Sequence, residues 1–249
     1  MSKKLIIIDA YNFVFRAFHA LPPLHNKDGL ELGAVYGLLN MLIRIKSKIT
    51  SSHWIIALDS GSKNFRHNLY KEYKAHRPPA PESLVKQFPI ISEASKAMSI
   101  HSLACTGYEA DDIIASLVKQ AKSIGMPVAI ISSDKDLMQL IHDDYVSMID
   151  PIKLSDITQA EVINKFGVQP LYLKDFLALV GDSSDNIPGA PGIGPKGAAE
   201  LINQFGSLEK LLNSASEIKQ DKKRSTIQTY AEQIKLSFDL VDLKSNIDI

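Results

Sequence analysis

Carboxylates are the side chains whose spacing in this 249-residue sequence points most directly to chemistry. Three short apolar runs, LIIID, WIIALD and VAIISSD, end on Asp9, Asp59 and Asp134, and Asp136 lies two residues further on. The runs are β-branched and too short for helices, which predicts buried parallel strands. Ligands of an open parallel sheet bind beyond the carboxyl ends of its strands. We therefore expect these aspartates to share one site.

A second group of acids, Glu109, Asp111 and Asp112, opens a predicted helix in GYEADDII. One acid in a first turn is ordinary capping, because it stabilises the helix dipole by about 0.3–1 kcal/mol. Three acids in four residues repel one another unless a cation neutralises them, and Glu109 and Asp112 share a helix face. The pattern favours metal ligation over capping.

The loop VGDSSDNIPG carries a third pair, Asp182 and Asp185, which the local sequence leaves open between a solvated turn and ligation. Oxygen ligands select hard cations, magnesium or manganese. The seven histidines show no HxxxH or HxH spacing, which disfavours zinc. Two such ions, roughly 3.5–4 Å apart, suit phosphoryl chemistry with an activated water as nucleophile.

Residues 63–77 interleave cations with aromatic rings in KNFRHNLYKEYKAHR. Such interleaving is typical of nucleic-acid contact, and an amphipathic surface helix is the alternative. The segment follows a predicted catalytic strand and precedes the stiff PPAP at 78–81, so we expect it to project over the site.

The glycine loop at 181–197 contains GIGPKG, a formal GxGxxG match. A dinucleotide fingerprint requires a preceding strand, whereas the pattern before this loop is helical, so we reject that interpretation. A hairpin between helices instead exposes backbone N–H groups that can grip a phosphate, with Lys196 beside them.

Helical patterns at 32–49 and 110–125 alternate with the strands, and VSMID at 146–150 is a further strand candidate. A capping box at Thr158 opens a helix that ends at Gly167, and the pattern stays helical thereafter. We predict an α/β domain over 1–167 and an all-helical domain over 168–249.

The bulk composition excludes several classes of protein. A lone cysteine, Cys105, rules out an internal disulfide and a CxxC-type zinc cluster. The apolar N-terminal run is too short for a signal peptide, and no stretch approaches a membrane span, so we expect a cytoplasmic protein. The 28 basic and 28 acidic residues balance, which argues mildly against nucleic-acid binding, although the local fields matter more.

Five motifs together resemble the 5′-nuclease family, which includes the 5′→3′ exonuclease domain of bacterial DNA polymerase I and flap endonucleases. They are IIIDAYNFVFRAFHALP, FRHNLYKEYKAHR, GYEADDIIA, SSDKDLMQL and GDSSDNIPGAPGIGPKGAAELI, and they span essentially the whole chain. The resemblance implies a PIN-like α/β nuclease core followed by a helix–hairpin–helix-type module (H3TH) that binds duplex DNA.

The resemblance also implies roles for individual residues. It implies two or more Mg²⁺ ions, with Mn²⁺ able to substitute, and a K⁺ ion in the hairpin at 187–196. An arch over about 63–100 is implied to thread the 5′ strand, with Lys74 and Arg77 as catalytic cations at the scissile phosphate. The implied DNA contacts are Arg66, Tyr73, Gly192, Gly194 and Lys196. The implied metal ligands are Asp9, Asp59, Glu109, Asp111, Asp112, Asp134, Asp136, Asp182 and Asp185.

Two departures from the family pattern stand out. Gly197 occupies a position where the family usually has threonine, and the chain stops at KSNIDI with no polymerase following. Both a stand-alone exonuclease and a fragment of a longer polymerase remain open. We expect a monomer that cleaves 5′ flaps or nicked duplexes in replication and repair, with no membrane partner and with or without a polymerase beside it. The rivals are a DNA-junction-binding module without catalysis, a PIN-like ribonuclease and a phosphatase.

Overall fold

Short β-branched runs form the strands of one six-stranded sheet. The structure is a computed structural model that describes residues 3–142 and 145–249. The strand order is β3-β2-β1-β4-β5-β6, parallel throughout except for the last pair. The strands are β1 Leu5–Asp9, β2 His53–Ala57, β3 His101–Leu103, β4 Val128–Ile131, β5 Val146–Ile149 and β6 Asp156–Ile157.

Helices cover both faces of this sheet, because successive residues of a buried strand point to opposite sides. In β1, Ile6 and Ile8 belong to one apolar cluster, whereas Leu5 and Ile7 belong to the other. The helices up to the end of the α/β part are α1 Tyr11–Ala20, α2 Gly33–Lys48, α3 Phe65–Leu69, α4 Glu82–Val85, α5 Phe88–Ala97, α6 Ala110–Ser123 and α7 Gln159–Phe166. A 3-10 turn spans Asp136–Leu140.

The remaining chain is helical, and its core is continuous with one face of the sheet. Ile130 of β4, Leu177 and Leu201 are buried in the same cluster. The helices are α8 Leu173–Val180, α9 Pro195–Phe205, α10 Leu208–Asn213, α11 Asp221–Thr229 and α12 Ala231–Val241, with 3-10 turns at Pro170–Tyr172 and Ala215–Glu217.

The predicted strands and helices are present to within a few residues at their ends. The capping box at Thr158 is confirmed, with a 3.2 Å hydrogen bond from the Glu161 N–H, and the helix stops at Gly167 in the left-handed conformation. β3 and β6 were missed because they are short and contain polar residues, so that no apolar run announces them. The basic segment forms only the five-residue α3 followed by turns, so the alternative of a long amphipathic helix is wrong.

A tight loop at 181–189 follows α8 and holds the third acidic pair. Two hydrogen bonds close it, from the Asp182 N–H to the Ile187 carbonyl at 2.9 Å and back at 2.7 Å. Gly181 has a φ of 74°, and a Cβ there would lie 2.5 Å from the Ile187 carbonyl oxygen. A Cβ at Gly189 would lie 2.5 Å from the Gly181 nitrogen. The loop therefore requires glycine at both positions.

Candidate active site

The acidic site lies where the strand order reverses. β1 has β2 on one side and β4 on the other, and such a switch point opens a crevice at the carboxyl ends of the strands. Asp9 ends β1 and is 3% exposed, and its carboxylate accepts a 2.7 Å hydrogen bond from Ser132, which follows β4. Ser132 also accepts the Asp134 N–H at 3.0 Å, and Asp134 accepts the Asp136 N–H at 3.0 Å. One turn thus fixes three of the predicted acids at the crevice.

Charges of neighbouring acids shift the pKa values of Asp9, Asp111 and Asp136 in the same direction as burial. Burial, opposed by the Ser132 hydrogen bond and reinforced by Asp134, raises the pKa of Asp9 to about 6. Burial and Asp134 raise the pKa of Asp136 to about 7. Burial also raises the pKa of Asp111 well above its usual range, and Asp134 and Asp9 push it further. The cluster therefore favours protons, or other cations, over bare negative charge.

Asp59 connects β2 to the second acidic group. Its carboxylate accepts the Ala110 N–H at 2.8 Å and so binds the N-terminus of α6. Burial, partly offset by that hydrogen bond, raises the pKa of Asp59, and the neighbouring Glu109 raises it further. The sequence placed Asp59 at a strand end, and the structure adds that it anchors the helix carrying Glu109 and Asp111.

Asp112 faces an arginine. Its carboxylate is fully buried and makes two hydrogen bonds to the Arg66 guanidinium, of 2.7 and 2.8 Å. The Glu109 and Lys244 N–H groups, at 3.1 and 2.9 Å, bring its donors to four. These contacts occupy both oxygens of the Asp112 carboxylate, and metal ligation by Asp112 stays a prediction. Arg66 is 1% exposed, which contradicts the prediction that it contacts DNA.

Lys74 lies against the acids. Its Nζ is 2.6 Å from Glu109 and 3.5 Å from Asp185, and its backbone N–H donates to the Asp185 carbonyl at 2.9 Å. Burial opposes its charge, but Glu109 and Asp185 outweigh that cost and raise the pKa of Lys74. Tyr73 is 2% exposed, and its hydroxyl donates to Glu109 at 3.0 Å and to Asp185 at 3.2 Å. This burial contradicts the predicted DNA contact of Tyr73.

The third acidic pair is held by cations. Arg77 donates to the Asp185 carboxylate and, at 3.0 Å, to the Ser184 carbonyl. Lys135 pairs with Asp182 at 2.7 Å. Burial acts to raise the pKa of Asp182, but hydrogen bonds from Lys135 and Ser184 outweigh it, so the net pKa lies below its usual range. Lys135, within the SSDKDLMQL motif, was not predicted, because its partner Asp182 is far away in the sequence.

The donor set fits a hard divalent cation. Within 3–142 and 145–249, no three His, Cys, Asp or Glu side chains converge closely enough to form a finished metal cage. The raised pKa values of Asp9, Asp111 and Asp136 nevertheless mark strong demand for positive charge at the switch point. Clustered carboxylate oxygens of this kind suit Mg²⁺ or Mn²⁺.

The predicted hairpin presents bare backbone to the outside. Gly192 and Gly194 are exposed, and a Cβ at either would meet no atom within 4 Å. The packing of this chain therefore leaves open space at both positions. Lys196 is exposed in the first turn of α9, next to this surface.

The second half of the predicted arch packs on the α/β core. Leu84 and Ile91, from α4 and α5, are 0% and 1% exposed in the same cluster as α2. The Gln87 side chain accepts the N–H groups of Ala34 and Val35 at 3.0 and 3.2 Å, at the start of α2. The chain between α3 and α4 carries Lys74 and Arg77 and is mostly exposed, although Tyr73 within it is buried.

An α/β domain with an acid-lined switch point is followed by a helical module with an exposed glycine hairpin. The family model described as "5'-3' exonuclease, N-terminal resolvase-like domain" matches residues 4–167. The model described as "5'-3' exonuclease, C-terminal SAM fold" matches residues 168–249. The chain belongs to the 5′-3′ exonuclease family.

Relatives of this chain occur in two lengths. DNA polymerase I of Rhizobium leguminosarum is 46% identical over 253 residues, which is 98% of this chain and 25% of that protein. A 5′-3′ exonuclease of Aquifex aeolicus (strain VF5) is 40% identical over 247 residues, which is 99% of this chain and 84% of that protein. The chain thus spans about a quarter of the polymerase relative and most of the shorter one.

Two solved structures share the fold. One is the bacteriophage T5 5′-exonuclease with bound zinc ions, with a TM-score of 0.79, 24% identity and coverage of 97% of this chain and 90% of that one. The other is a T5 flap endonuclease complex with DNA and metal ions, with a TM-score of 0.79, 23% identity and the same coverage.

Among the helices of residues 3–142 and 145–249, none has the length and apolar character that a membrane span requires.

The acidic site predicts an unusual dependence of stability on pH. Asp9 and Asp136 have folded-state pKa values of about 6 and 7, above the ordinary 3.8, so the folded chain binds their protons more tightly than the unfolded chain. Their contribution to stability is full below about pH 4 and is lost as the pH rises through 6 and 7. We expect Mg²⁺ to stabilise the protein most at the upper end of this window.

Urea unfolding at pH 5, 6, 7 and 8, in EDTA and in Mg²⁺, measures this effect. Burial lowers the pKa of His67, which acts in the opposite direction near pH 6, so the comparison is made between EDTA and Mg²⁺ at each pH. A stabilisation by Mg²⁺ that stays constant or shrinks from pH 5 to pH 8 would contradict the account.

Proposed function

We propose that this chain is a structure-specific 5′→3′ exonuclease and flap endonuclease that hydrolyses DNA phosphodiester bonds near 5′ ends. The observation that carries the proposal is the switch-point cluster, where Asp9, Asp111 and Asp136 have raised pKa values. Membership of the 5′-3′ exonuclease family supports the reaction, and the T5 flap endonuclease complex with DNA and metal ions supports the substrate class.

The carboxylates divide into two sets with different partners. Glu109, Asp182 and Asp185 are paired with lysine or arginine, and these three hold the cations of the site. We assign Mg²⁺, with Mn²⁺ as a substitute and two or more ions in total, to the other set, which consists of Asp9, Asp59, Asp111, Asp134 and Asp136. Ions held there would activate a water molecule and stabilise the charge on the leaving oxygen.

Lys74 and Arg77 are the cations that would contact the scissile phosphate. Lys74 and Arg77 are held in place by Glu109 and Asp185, so their charges are oriented before a substrate arrives. Next to a scissile phosphate they would stabilise the negative charge that develops on its oxygens. Tyr73, which is buried, positions the same two acids through its hydroxyl and does not touch the DNA.

The glycine hairpin binds the duplex. The exposed backbone at Gly192 and Gly194, with Lys196 beside it, grips phosphates without reading base sequence. Carbonyl oxygens of residues 187–196 would hold K⁺ during this contact. We further propose that the protein acts as a monomer in the cytoplasm, in replication and repair. A DNA polymerase acts next to it, because relatives such as the Rhizobium enzyme carry this region within DNA polymerase I.

Product-length analysis of 5′-labelled flap, nicked and gapped duplexes with Mg²⁺ tests the proposal. We expect cleavage close to the junction on the flap and short products from the nick. An RNA hairpin and a phosphomonoester, run in parallel, should be cut far more slowly. Tight DNA binding without cleavage in both Mg²⁺ and Mn²⁺ would instead identify a junction-binding module.

A further inference from the structure

Arg66 joins two distant parts of the chain at the edge of the acidic site. Its guanidinium donates to the Leu240 carbonyl and the Asp242 carbonyl, both at 2.8 Å, at the end of α12. On its other side it makes the two hydrogen bonds to Asp112 and a longer one, of 3.3 Å, to Glu109. All five guanidinium N–H donors are therefore used.

Asp112 connects Arg66 to the start of α6 and to the C-terminal tail. Its Oδ2 accepts the backbone N–H of Glu109, the residue just before the helix. Its Oδ1 accepts the backbone N–H of Lys244, in the strand-free tail after α12. The tail then continues along α6, where Ser116 donates to the Lys244 carbonyl at 3.1 Å and accepts the Ile247 N–H at 3.2 Å. The first turn of α6 is thus tied to the helical module through one buried ion pair.

We propose that Arg66 is a positioning residue for cleavage, which sets the first turn of α6 relative to the helical module through Asp112. The other two site acids are close to Asp112 in the chain. Asp111 directly precedes it, and Glu109 is the residue just before the helix. A shift of about 1 Å in catalytic groups can cost about a hundredfold in rate. Binding of duplex DNA by the helical module is in this way coupled to the geometry of the metal-binding acids.

The positioning role of Arg66 requires the planar guanidinium group. Lysine keeps the charge but has three donors on a single nitrogen, so it cannot span a carboxylate and two carbonyls in one plane. A purely structural ion pair would behave differently from a positioning one. Its loss would lower the folded fraction while leaving the turnover and metal dependence of the folded molecules unchanged.

Arg66→Lys and a matched control, Arg224→Lys, test the proposal, which rests on the proposed nuclease activity. Arg224 also bridges a carboxylate and a carbonyl, at Asp221 and Ile218, within α11 and the turn before it. For each variant, kcat and KM on a 5′-flap duplex, the Mg²⁺ concentration at half-maximal rate and the melting temperature are measured. Rates are compared at a temperature where circular dichroism shows both proteins folded.

We expect Arg66→Lys to lower kcat about 10- to 100-fold and to raise the half-maximal Mg²⁺ concentration severalfold, with KM little changed. Arg224→Lys is expected to match the wild type in all three. Wild-type kcat and Mg²⁺ dependence in folded Arg66→Lys would overturn the proposal. An inactive wild type would instead overturn the proposed function, which keeps the two failures apart.

Asp112→Asn and the double variant separate positioning from direct ligation. If Arg66 acts through Asp112, the double variant loses no more kcat than the more impaired single variant, because both break one link. Full additivity would assign Asp112 an independent role and overturn the proposal. If Arg66→Lys does not fold, Asp112→Asn carries the same kcat and Mg²⁺ test. Failure of both to fold would make the pair a folding determinant only and would also overturn it.

Discussion

Asp111→Asn is expected to lower turnover on a 5′-flap duplex by about a hundredfold or more, while making the metal-free protein more stable. Burial raises the pKa of Asp111 well above its usual range, and Asp134, Asp9 and Glu109 raise it further. A neutral amide of the same size removes this repulsion and also removes a charged oxygen from the metal-binding set. Activity and stability therefore change in opposite directions.

Single-turnover cleavage and thermal unfolding in EDTA measure the two effects of Asp111→Asn. Asp239→Asn, an exposed position on α12, is the matched control and is expected to leave both unchanged. Wild-type cleavage in Asp111→Asn would remove Asp111 from the ligand set. A large loss of stability would show that its charge is satisfied within the fold.

Lys74→Met is expected to lower kcat by about 10²–10³-fold with a much smaller effect on KM. The Lys74 ammonium lies 2.6 Å from Glu109 and 3.5 Å from Asp185, so its position is fixed before the phosphate binds. A charge held ready at the site stabilises the transition state more than the bound substrate, which lowers kcat when it is removed. Methionine keeps most of the aliphatic packing and removes the charge.

Lys71→Met is the control for Lys74→Met, because Lys71 is exposed in the same segment. Steady-state kinetics on the flap duplex, with the melting temperature of each variant, give the comparison. We expect Lys71→Met to change mainly the salt dependence of binding. An equal loss of kcat in both variants would mean that the segment acts through its overall charge rather than through Lys74.

The sequence was sufficient to predict the strands that carry the site. Asp9, Asp59 and Asp134 follow apolar runs, and alternation of strands and helices places such positions at one edge of a parallel sheet. Both signals, an apolar run and the aspartate that follows it, involve residues close together in the sequence. The family motifs added the order of the acids, which stays a prediction. They also added the expectation of a helical module, which the C-terminal family model confirms.

The partners of individual charges could not be predicted, because they depend on contacts between residues far apart in sequence. Arg66 lies in a basic segment and was expected to touch DNA. Its burial arises from α12, whose Leu240 carbonyl is 174 positions away. Asp112 was expected to bind metal for the same reason, since its neighbours in sequence are acids while its neighbours in space are Arg66 and Lys244.

The extent of the arch likewise depends on contacts between residues far apart in sequence. The family resemblance implied an arch over about 63–100, and within that range Gln87 binds the start of α2 while Leu84 and Ile91 enter the core. Burial of these side chains depends on the surface that α2 offers, which periodicity within the segment does not reveal. The exposed stretch is therefore shorter than the sequence suggested.

The most direct test of the account is cleavage of a 5′-labelled flap duplex by the wild-type protein, first in EDTA and then with increasing Mg²⁺. In the proposed function, bound divalent cations are the means by which the switch-point acids act on DNA, so we predict no cleavage in EDTA. Activity is expected to return with added Mg²⁺ and to saturate. Cleavage at the same rate in EDTA as in Mg²⁺ would contradict the account.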